Sequence, residues 1–182
     1  MLRGVTLIEI VITVAISAIL MLAITQLYVM YGRVIESQQA SIEMMLGGSS
    51  IMDTARAAGL QAGQVVASHS FSGTTYATGA TTVVFELPAV DISGGIVPGA
   101  YDYIAVFSSG SNVYRLVDAA AESARISEQT LLTDVLGALS FSYDNPDFPS
   151  ATRVTVDATT SIRVRGVAAE AHFYEQIYLR NI

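Results

Sequence analysis

The sequence predicts an α+β protein in which one long N-terminal helix packs on an antiparallel β-sheet. Residues 5–32 form an apolar run in which Glu9 is the only side chain charged at neutral pH, and apolar residues continue at helical spacing to about residue 61. From residue 81 the apolar period changes to two, which is typical of strands. Because the strands follow the helix and do not alternate with other helices, we expect an α+β fold.

The apolar run 5–32 is long enough to cross a membrane. A helix needs roughly 20 apolar residues to span the hydrocarbon core, and this run has 28. Arg3 stands before it, and positive charge favours a cytoplasmic N-terminus, so the rest of the chain is expected outside the cytoplasm. A carboxylate within a span is costly and normally has a partner in lipid or protein, which makes Glu9 a candidate functional residue.

The most specific motif of the chain lies just before this span. Gly4, a small residue suited to a protease pocket, is followed by Val5-Thr6-Leu7-Ile8-Glu9. This arrangement resembles the class III signal of type IV prepilins and pseudopilins, in which a peptidase cuts after the glycine and glutamate is the fifth mature residue. The family usually has phenylalanine in the place of Val5, and a longer and more basic leader. The resemblance implies that residues 1–4 are a leader peptide and that Val5 becomes an N-methylated N-terminus.

Residues 33–61 are predicted to continue the helix in amphipathic form. The proposed apolar stripe consists of Ile35, Ile42, Met45 and Met52. The charged residues Arg33, Glu36, Glu43 and Asp53 lie off this stripe. Two adjacent glycines, Gly47 and Gly48, disfavour helix, so we expect a kink or a local loosening there.

Residues 62–182 are predicted to form a β-rich head. A connector rich in Gly, Ser and Thr spans 62–80, a loop spans 88–100, and 127–136 is expected to be a short helix capped by Ser127. Strands are predicted at 81–87, 101–107, 113–117, 139–143, 154–164 with a break near Ala158, and 171–179.

Composition argues against several classes of function. The chain has no cysteine, so disulfides cannot stabilise the head, and its net charge of −7 with scattered arginines is a poor basis for binding nucleic acid. Neither HExxH-like nor GxSxG spacing occurs, so we expect no cofactor, no metal and no enzymatic activity. The two histidines, His69 and His172, are predicted to be surface residues.

One segment, Asp144-Asn145-Pro146-Asp147, carries oxygen ligands of the kind that calcium prefers. Some pseudopilin heads bind calcium in a C-terminal loop, which makes Asp144, Asn145 and Asp147 a weak calcium candidate. Asn-Pro flanked by aspartates is first of all a turn signal, however, and no EF-hand spacing follows. The turn is the preferred interpretation.

The resemblance implies a minor pilin or pseudopilin, a structural subunit of a type IV pilus-like or type II secretion fibre, acting in initiation or at the tip. Residues 53–59 and 173–181 also resemble J-type minor pseudopilins and W-type minor pilins. The implied partners are other pilins or pseudopilins, a prepilin peptidase and an inner-membrane assembly platform, with the head in the periplasm. In family fibres the glutamate matching Glu9 meets the N-terminal amine of a neighbour and sets the register.

Two alternatives remain. The first alternative, within the same fold, is that the chain is a major subunit, an interpretation that its elaborate loops disfavour. The second, from a different class, is that the chain is a single-pass signal anchor that holds an extracytoplasmic binding domain in the membrane. Hydrophobicity alone does not separate a pilin arm from such an anchor.

Overall fold

A computed structural model describes residues 6–180, which form one α-helix, one 3₁₀ helix and ten strands and divide into two compact units between Ala40 and Ser41. The elements are α1 (Leu7–Gln61), β1 (Gln64–Val65), β2 (Ser68–Phe71), β3 (Thr74–Ala77), β4 (Thr82–Val90), β5 (Ile96–Ser109), β6 (Asn112–Asp118), β7 (Glu128–Thr133), β8 (Leu136–Tyr143), a 3₁₀ helix (Phe148–Ser150), β9 (Arg153–Val164) and β10 (Val167–Tyr178).

The described part of the first unit, residues 6–40, is a helix with exposed apolar side chains. Its most apolar 18-residue window has a mean hydropathy of 2.7 and is entirely unburied. Since a soluble protein rarely leaves such a surface uncovered, the exposure fits a helix that lies in lipid or against other helices. The prediction of a helix long and apolar enough to span a membrane, near the N-terminus, is confirmed.

The second unit contains the sheets. Five strands pair in the order β1-β4-β5-β6-β7, three pair in the order β10-β9-β8, and β2 and β3 form a separate hairpin. All pairings are antiparallel. The strands follow the helix along the chain, so the predicted α+β fold is confirmed.

Residues 41–61 of α1 cover one face of both larger sheets. The period of two along β4 directs Val83 and Phe85 toward this helix, whereas Val84 points to the opposite face. On that opposite face Phe71 and Tyr76 of the β2–β3 hairpin pack over the sheet. The hairpin therefore supplies a second, smaller apolar cluster.

The predicted apolar stripe of the helix is only partly right in the second unit, where Met52 is buried. Ile42 and Met45 are 59% and 54% exposed. Five of the eight buried residues on this face are small, namely Gly47, Gly48, Ala55, Ala58 and Gly59, and the other three are Met44, Ile51 and Met52. Small side chains let the helix backbone approach the strands closely, and a search for large apolar residues does not detect such a face.

The expected loosening at Gly47 and Gly48 is also absent, because the helix continues through both residues. A Cβ atom on Gly48 would lie 2.0 Å from the Phe173 ring, and one on Gly47 would lie 2.4 Å from Thr133 Oγ1. The two glycines therefore permit contact with β10 and β7. The packing outweighs their low helix propensity, which costs about 1 kcal/mol each.

We expect Gly48→Ala to destabilise the second unit. Overpacking against Phe173 costs about 1–3 kcal/mol, whereas better helix propensity returns at most about 1 kcal/mol. Denaturant unfolding followed by circular dichroism measures the difference. Ser49→Ala, an exposed neighbour in the same helix, is the control with little expected change. A Gly48→Ala protein that is more stable than wild type contradicts this account of the glycine.

Three predictions about the head need correction. Residues 128–133 form strand β7 and not part of a helix, and Ser127 Oγ accepts a hydrogen bond from the Ala119 N–H at 2.9 Å. Strand β9 continues through Ala158 without the expected break, because Ala158 is fully buried in the core. The predicted loop 88–100 is mostly the end of a hairpin, in which β4 and β5 extend around the turn 91–95.

The connector 62–80 is also more regular than predicted. It contains β1, which pairs with β4, and the hairpin β2–β3. The tight turn of that hairpin uses Ser72 and Gly73 with φ of 48° and 89°. Such left-handed backbone is what a two-residue hairpin turn requires, so the Ser-Gly pair is a turn signal inside an otherwise polar stretch.

Candidate functional site

The first turn of α1 is closed by Thr6 and Glu9. The Thr6 N–H and hydroxyl both donate to Glu9 Oε2 at 2.8 Å, and the Glu9 N–H reaches Thr6 Oγ1 at 3.4 Å. These reciprocal bonds form a capping box, in which a threonine before the helix and a glutamate three residues later satisfy each other's backbone donors. Glu9 thus has partners within the chain itself.

This capping role is a feature that the sequence analysis missed. Its signal is present, since Thr6-Leu7-Ile8-Glu9 has the spacing of a capping box directly before an apolar run. A carboxylate in the first turn also interacts favourably with the positive end of the helix dipole. The Thr6–Glu9 pair therefore stabilises the start of the helix whatever else Glu9 does.

Glu9 has no cationic partner in the described part of its unit. Within residues 6–40 the only basic side chain is Arg33, which lies 24 positions further along the same helix. At 1.5 Å per residue this separation is about 36 Å, too far for a direct ion pair. The hydrogen bonds from Thr6 leave the net charge of the carboxylate uncompensated.

Gly4 and Val5 lie outside the described residues. The predicted cleavage after Gly4 and the methylation of Val5 stay predictions.

The chain matches no protein-family model, no curated protein and no solved structure. The resemblance to pilins consequently depends on residues 4–9, with the weaker phrases 53–59 and 173–181, and on the combination of an apolar helix with a sheet.

The calcium candidate is a set of turn residues. Asp144 accepts hydrogen bonds from the Thr152 hydroxyl at 2.5 Å and the Thr152 N–H at 3.0 Å, and these bonds lower the pKa of Asp144. Asn145 Oδ1 accepts from the Asp147 N–H at 2.9 Å, and Asp147 accepts from Ser150 Oγ at 2.6 Å. Residues 6–180 contain no group of three or more His, Cys, Asp or Glu placed to hold a metal. The side-chain oxygens of all three candidates take part in hydrogen bonds of this turn, and the calcium candidate itself stays a prediction.

The two histidines occupy different environments. His172 is on the surface, where its Nε2 lies 2.9 Å from Asp157 Oδ1. His69 is half-buried, so the surface prediction is only partly right. Its ring stacks on Tyr103 with centroids 3.7 Å apart, and its Nε2 lies 2.8 Å from Asp118 Oδ2. The pKa of Tyr103 is raised to about 12, mainly by burial and to a smaller extent by its hydrogen bond to Glu86.

A buried ion pair between Asp102 and Arg125 was not predicted. Asp102 is fully buried and accepts hydrogen bonds from the Ala120 N–H at 2.8 Å and from Ser123 Oγ at 2.7 Å. Arg125 pairs with the same carboxylate. The cluster fixes the loop between β6 and β7 onto β5.

Arg125 also reaches two other elements. It donates to the Pro88 carbonyl at 2.9 Å and to Gln61 Oε1 at 2.8 Å, at the end of α1. One guanidinium thus connects β4, β5 and the helix terminus. Because each of its partners is an acceptor within the same unit, Arg125 holds these three elements together.

Proposed function

We propose that the protein is a minor pilin or pseudopilin, a structural subunit of a type IV pilus-like or type II secretion fibre. The observation that carries the proposal is the position of Glu9. It is the one charge at the start of an exposed apolar helix, five residues after Gly4. A carboxylate at this place is costly in a simple membrane anchor, and although the capping box offsets part of that cost, the pilin resemblance supplies a reason for the uncompensated charge.

The chemistry of the arm supports assembly through α1. When such a helix leaves the lipid, its apolar surface must be buried against other arms, and that burial supplies the driving force. Repeated heterologous contacts of this kind generate a helical fibre. Catalysis is not part of the proposal.

Glu9 is proposed to set the register of that fibre. Cleavage after Gly4 would create a new amine on Val5, and the amine of a neighbouring subunit is the cation that Glu9 lacks within residues 6–40. Opposite charges attract strongly in a low dielectric, but an unpaired buried charge is costly. A subunit placed out of register would leave both charges unpaired.

The protein is proposed to reach the fibre in three steps, which are membrane insertion, cleavage and assembly. The precursor is inserted in the inner membrane with Arg3 on the cytoplasmic side, is cut there by a prepilin peptidase, and exposes its head to the periplasm. An inner-membrane platform then assembles it with other pilins or pseudopilins. Neither nucleic acid nor a cofactor takes part.

Cleavage is the direct test. We expect Gly4→Leu to leave the protein uncut in cells that contain the peptidase, because a bulky side chain obstructs the pocket that accepts glycine. Mass spectrometry of membrane-extracted protein identifies the N-terminus. Val5→Phe, which introduces the residue usual in the family, is the matched control and should be cut normally. A wild-type protein that keeps Met1 favours the plain signal anchor, and a Gly4→Leu protein that still begins at Val5 overturns the role of Gly4.

A further inference from the structure

Strand β10 is the free edge of its sheet. It pairs with β9 on one side over all twelve of its residues, Val167 to Tyr178, without a shift in register. No strand within residues 6–180 pairs with its other side. By contrast, the β4–β5, β6–β7 and β8–β9 pairings each contain an irregularity.

The register identifies the backbone groups at this edge. The Leu179 N–H bonds to the Thr152 carbonyl at 2.9 Å, so the backbone groups of Leu179 face β9. Successive residues of a strand direct their N–H and C=O groups to alternate sides. His172, Tyr174, Gln176 and Tyr178 therefore direct theirs away from the sheet.

The edge lacks most of the features that usually prevent pairing. Natural edge strands are protected by proline, lysine, bulges or inward-pointing charges, and β10 contains no proline, lysine or bulge. Its one inward charge, Glu175, forms an ion pair with Arg56 of α1. A regular row of hydrogen-bonding groups remains open.

A groove runs along this edge. It has a volume of about 400 Å³ and lies between β10 residues 172–175 and one side of α1. The helix contributes Ser49, Met52, Asp53 and Arg56. A strand edge beside a helix is the geometry in which a peptide can add one strand to a sheet and place alternate side chains against the helix.

The charges around the groove favour a basic occupant. Arg56 pairs closely with Glu175 and more loosely with Asp53, whose Oδ1 lies 3.8 Å from Arg56 Nη1 and whose side chain stays 73% accessible. Two carboxylates, Asp53 and Glu175, line the groove beside the single guanidinium of Arg56, so lysine or arginine on the occupant is attracted.

We infer that the groove between α1 and β10 binds an extended, basic segment of a partner protein as an additional β-strand. The groups that receive it are the outward backbone N–H and C=O groups of β10, and Asp53 contacts its basic side chain. The inference concerns the second unit and is independent of how the arm assembles.

The test uses the full chain in detergent micelles. A phage library of random peptides of about 12 residues, the length of β10, is selected on wild type and counter-selected on Tyr174→Pro. Proline removes the outward N–H of residue 174 and leaves the hydrogen bonds to β9 intact, which an edge strand tolerates. We expect enriched peptides with alternating β-branched residues and lysine or arginine. Fluorescence anisotropy should show affinity at least about tenfold weaker for Tyr174→Pro, or about 1.4 kcal/mol.

Matched variants separate the backbone from the side chains. Tyr174→Ala keeps the N–H and should bind the peptides within a few-fold of wild type, whereas Asp53→Asn should weaken basic peptides and reduce their salt dependence. If Tyr174→Pro loses its circular-dichroism signature, Gln176→Pro replaces it, since residue 176 also faces outward.

Three outcomes overturn the inference. One is that no peptide is enriched on wild type relative to Tyr174→Pro. Another is that the enriched peptides bind wild type and both proline variants equally. The last is a concentration-dependent dimer abolished by Tyr174→Pro, which assigns the edge to a second copy of the chain.

Discussion

The Glu9→Gln variant is expected to enter the membrane and to be cut after Gly4 as wild type is, but to be nearly absent from fibres. The substitution removes the one charge that the bilayer must accommodate, so insertion is unchanged or improved. In the assembled fibre the neighbour's amine then loses its buried partner, a loss on the scale of roughly two orders of magnitude or more in the assembly equilibrium. Cleaved protein in membranes is compared with protein recovered in sheared fibres or with partner subunits.

The capping box provides the control for this experiment. Glutamine can still accept the hydrogen bond from the Thr6 N–H, so Glu9→Gln changes the charge and largely keeps the cap. Thr6→Val does the reverse, since it keeps the charge and removes the capping hydroxyl at a cost of about 1 kcal/mol. We expect Thr6→Val to be incorporated nearly as well as wild type. Equal incorporation of Glu9→Gln and wild type shows that Glu9 does not set the register, which favours a tip position or a plain anchor.

The long helix and most strands could be predicted because their patterns are local. An uninterrupted apolar run indicates a helix that can span a membrane, and a period of two indicates strands such as β4 and β6. Residues 128–133 could not be predicted in this way. Their adjacent leucines and the preceding Ser127 look like a capped helix, but pairing with β6 outweighs that local preference.

The glycines of α1 show a second limit of sequence patterns. Taken alone, Gly47 and Gly48 indicate a helix break, because propensity is the only information that the sequence provides about them. In the fold the same residues let Phe173 and Thr133 approach the helix backbone. The partners are more than 80 residues away in sequence, so the reason for the glycines is visible only after the sheet is formed.

The candidate site was predictable in part. The spacing from Gly4 to Glu9 is contained in a few consecutive residues, and so is the capping box that was overlooked. Asp102 also had a signal, since the period of two in β5 places it on the same side as Ile104 and Val106 in the core. Its partner Arg125 had none, because it lies in a loop whose path no pattern indicates.

The Arg125→Met variant is expected to lose about 3–5 kcal/mol of stability, because it leaves the Asp102 carboxylate buried without its ion-pair partner. Such a loss is a large part of the roughly 5–15 kcal/mol that holds an ordinary domain folded. The loop between β6 and β7 should detach first, since Arg125 connects it to Pro88 and Gln61. Denaturant unfolding measures the free energy, and limited proteolysis locates the first cleavage.

The matched control is Arg115→Met. Arg115 also pairs with a carboxylate, that of Glu128, but both side chains are partly exposed, at 33% and 47%. Pairs at that exposure contribute about 0–1 kcal/mol, so the control should lose far less than Arg125→Met. The double variant Asp102→Leu/Arg125→Met should recover only part of the lost stability, because it removes the buried charge but leaves the Ala120 N–H and the Ser123 hydroxyl without their acceptor. Equal losses for the two single variants would mean that solvent reaches Asp102 once Arg125 is gone. That result would contradict the role of Arg125 as the partner of a buried carboxylate.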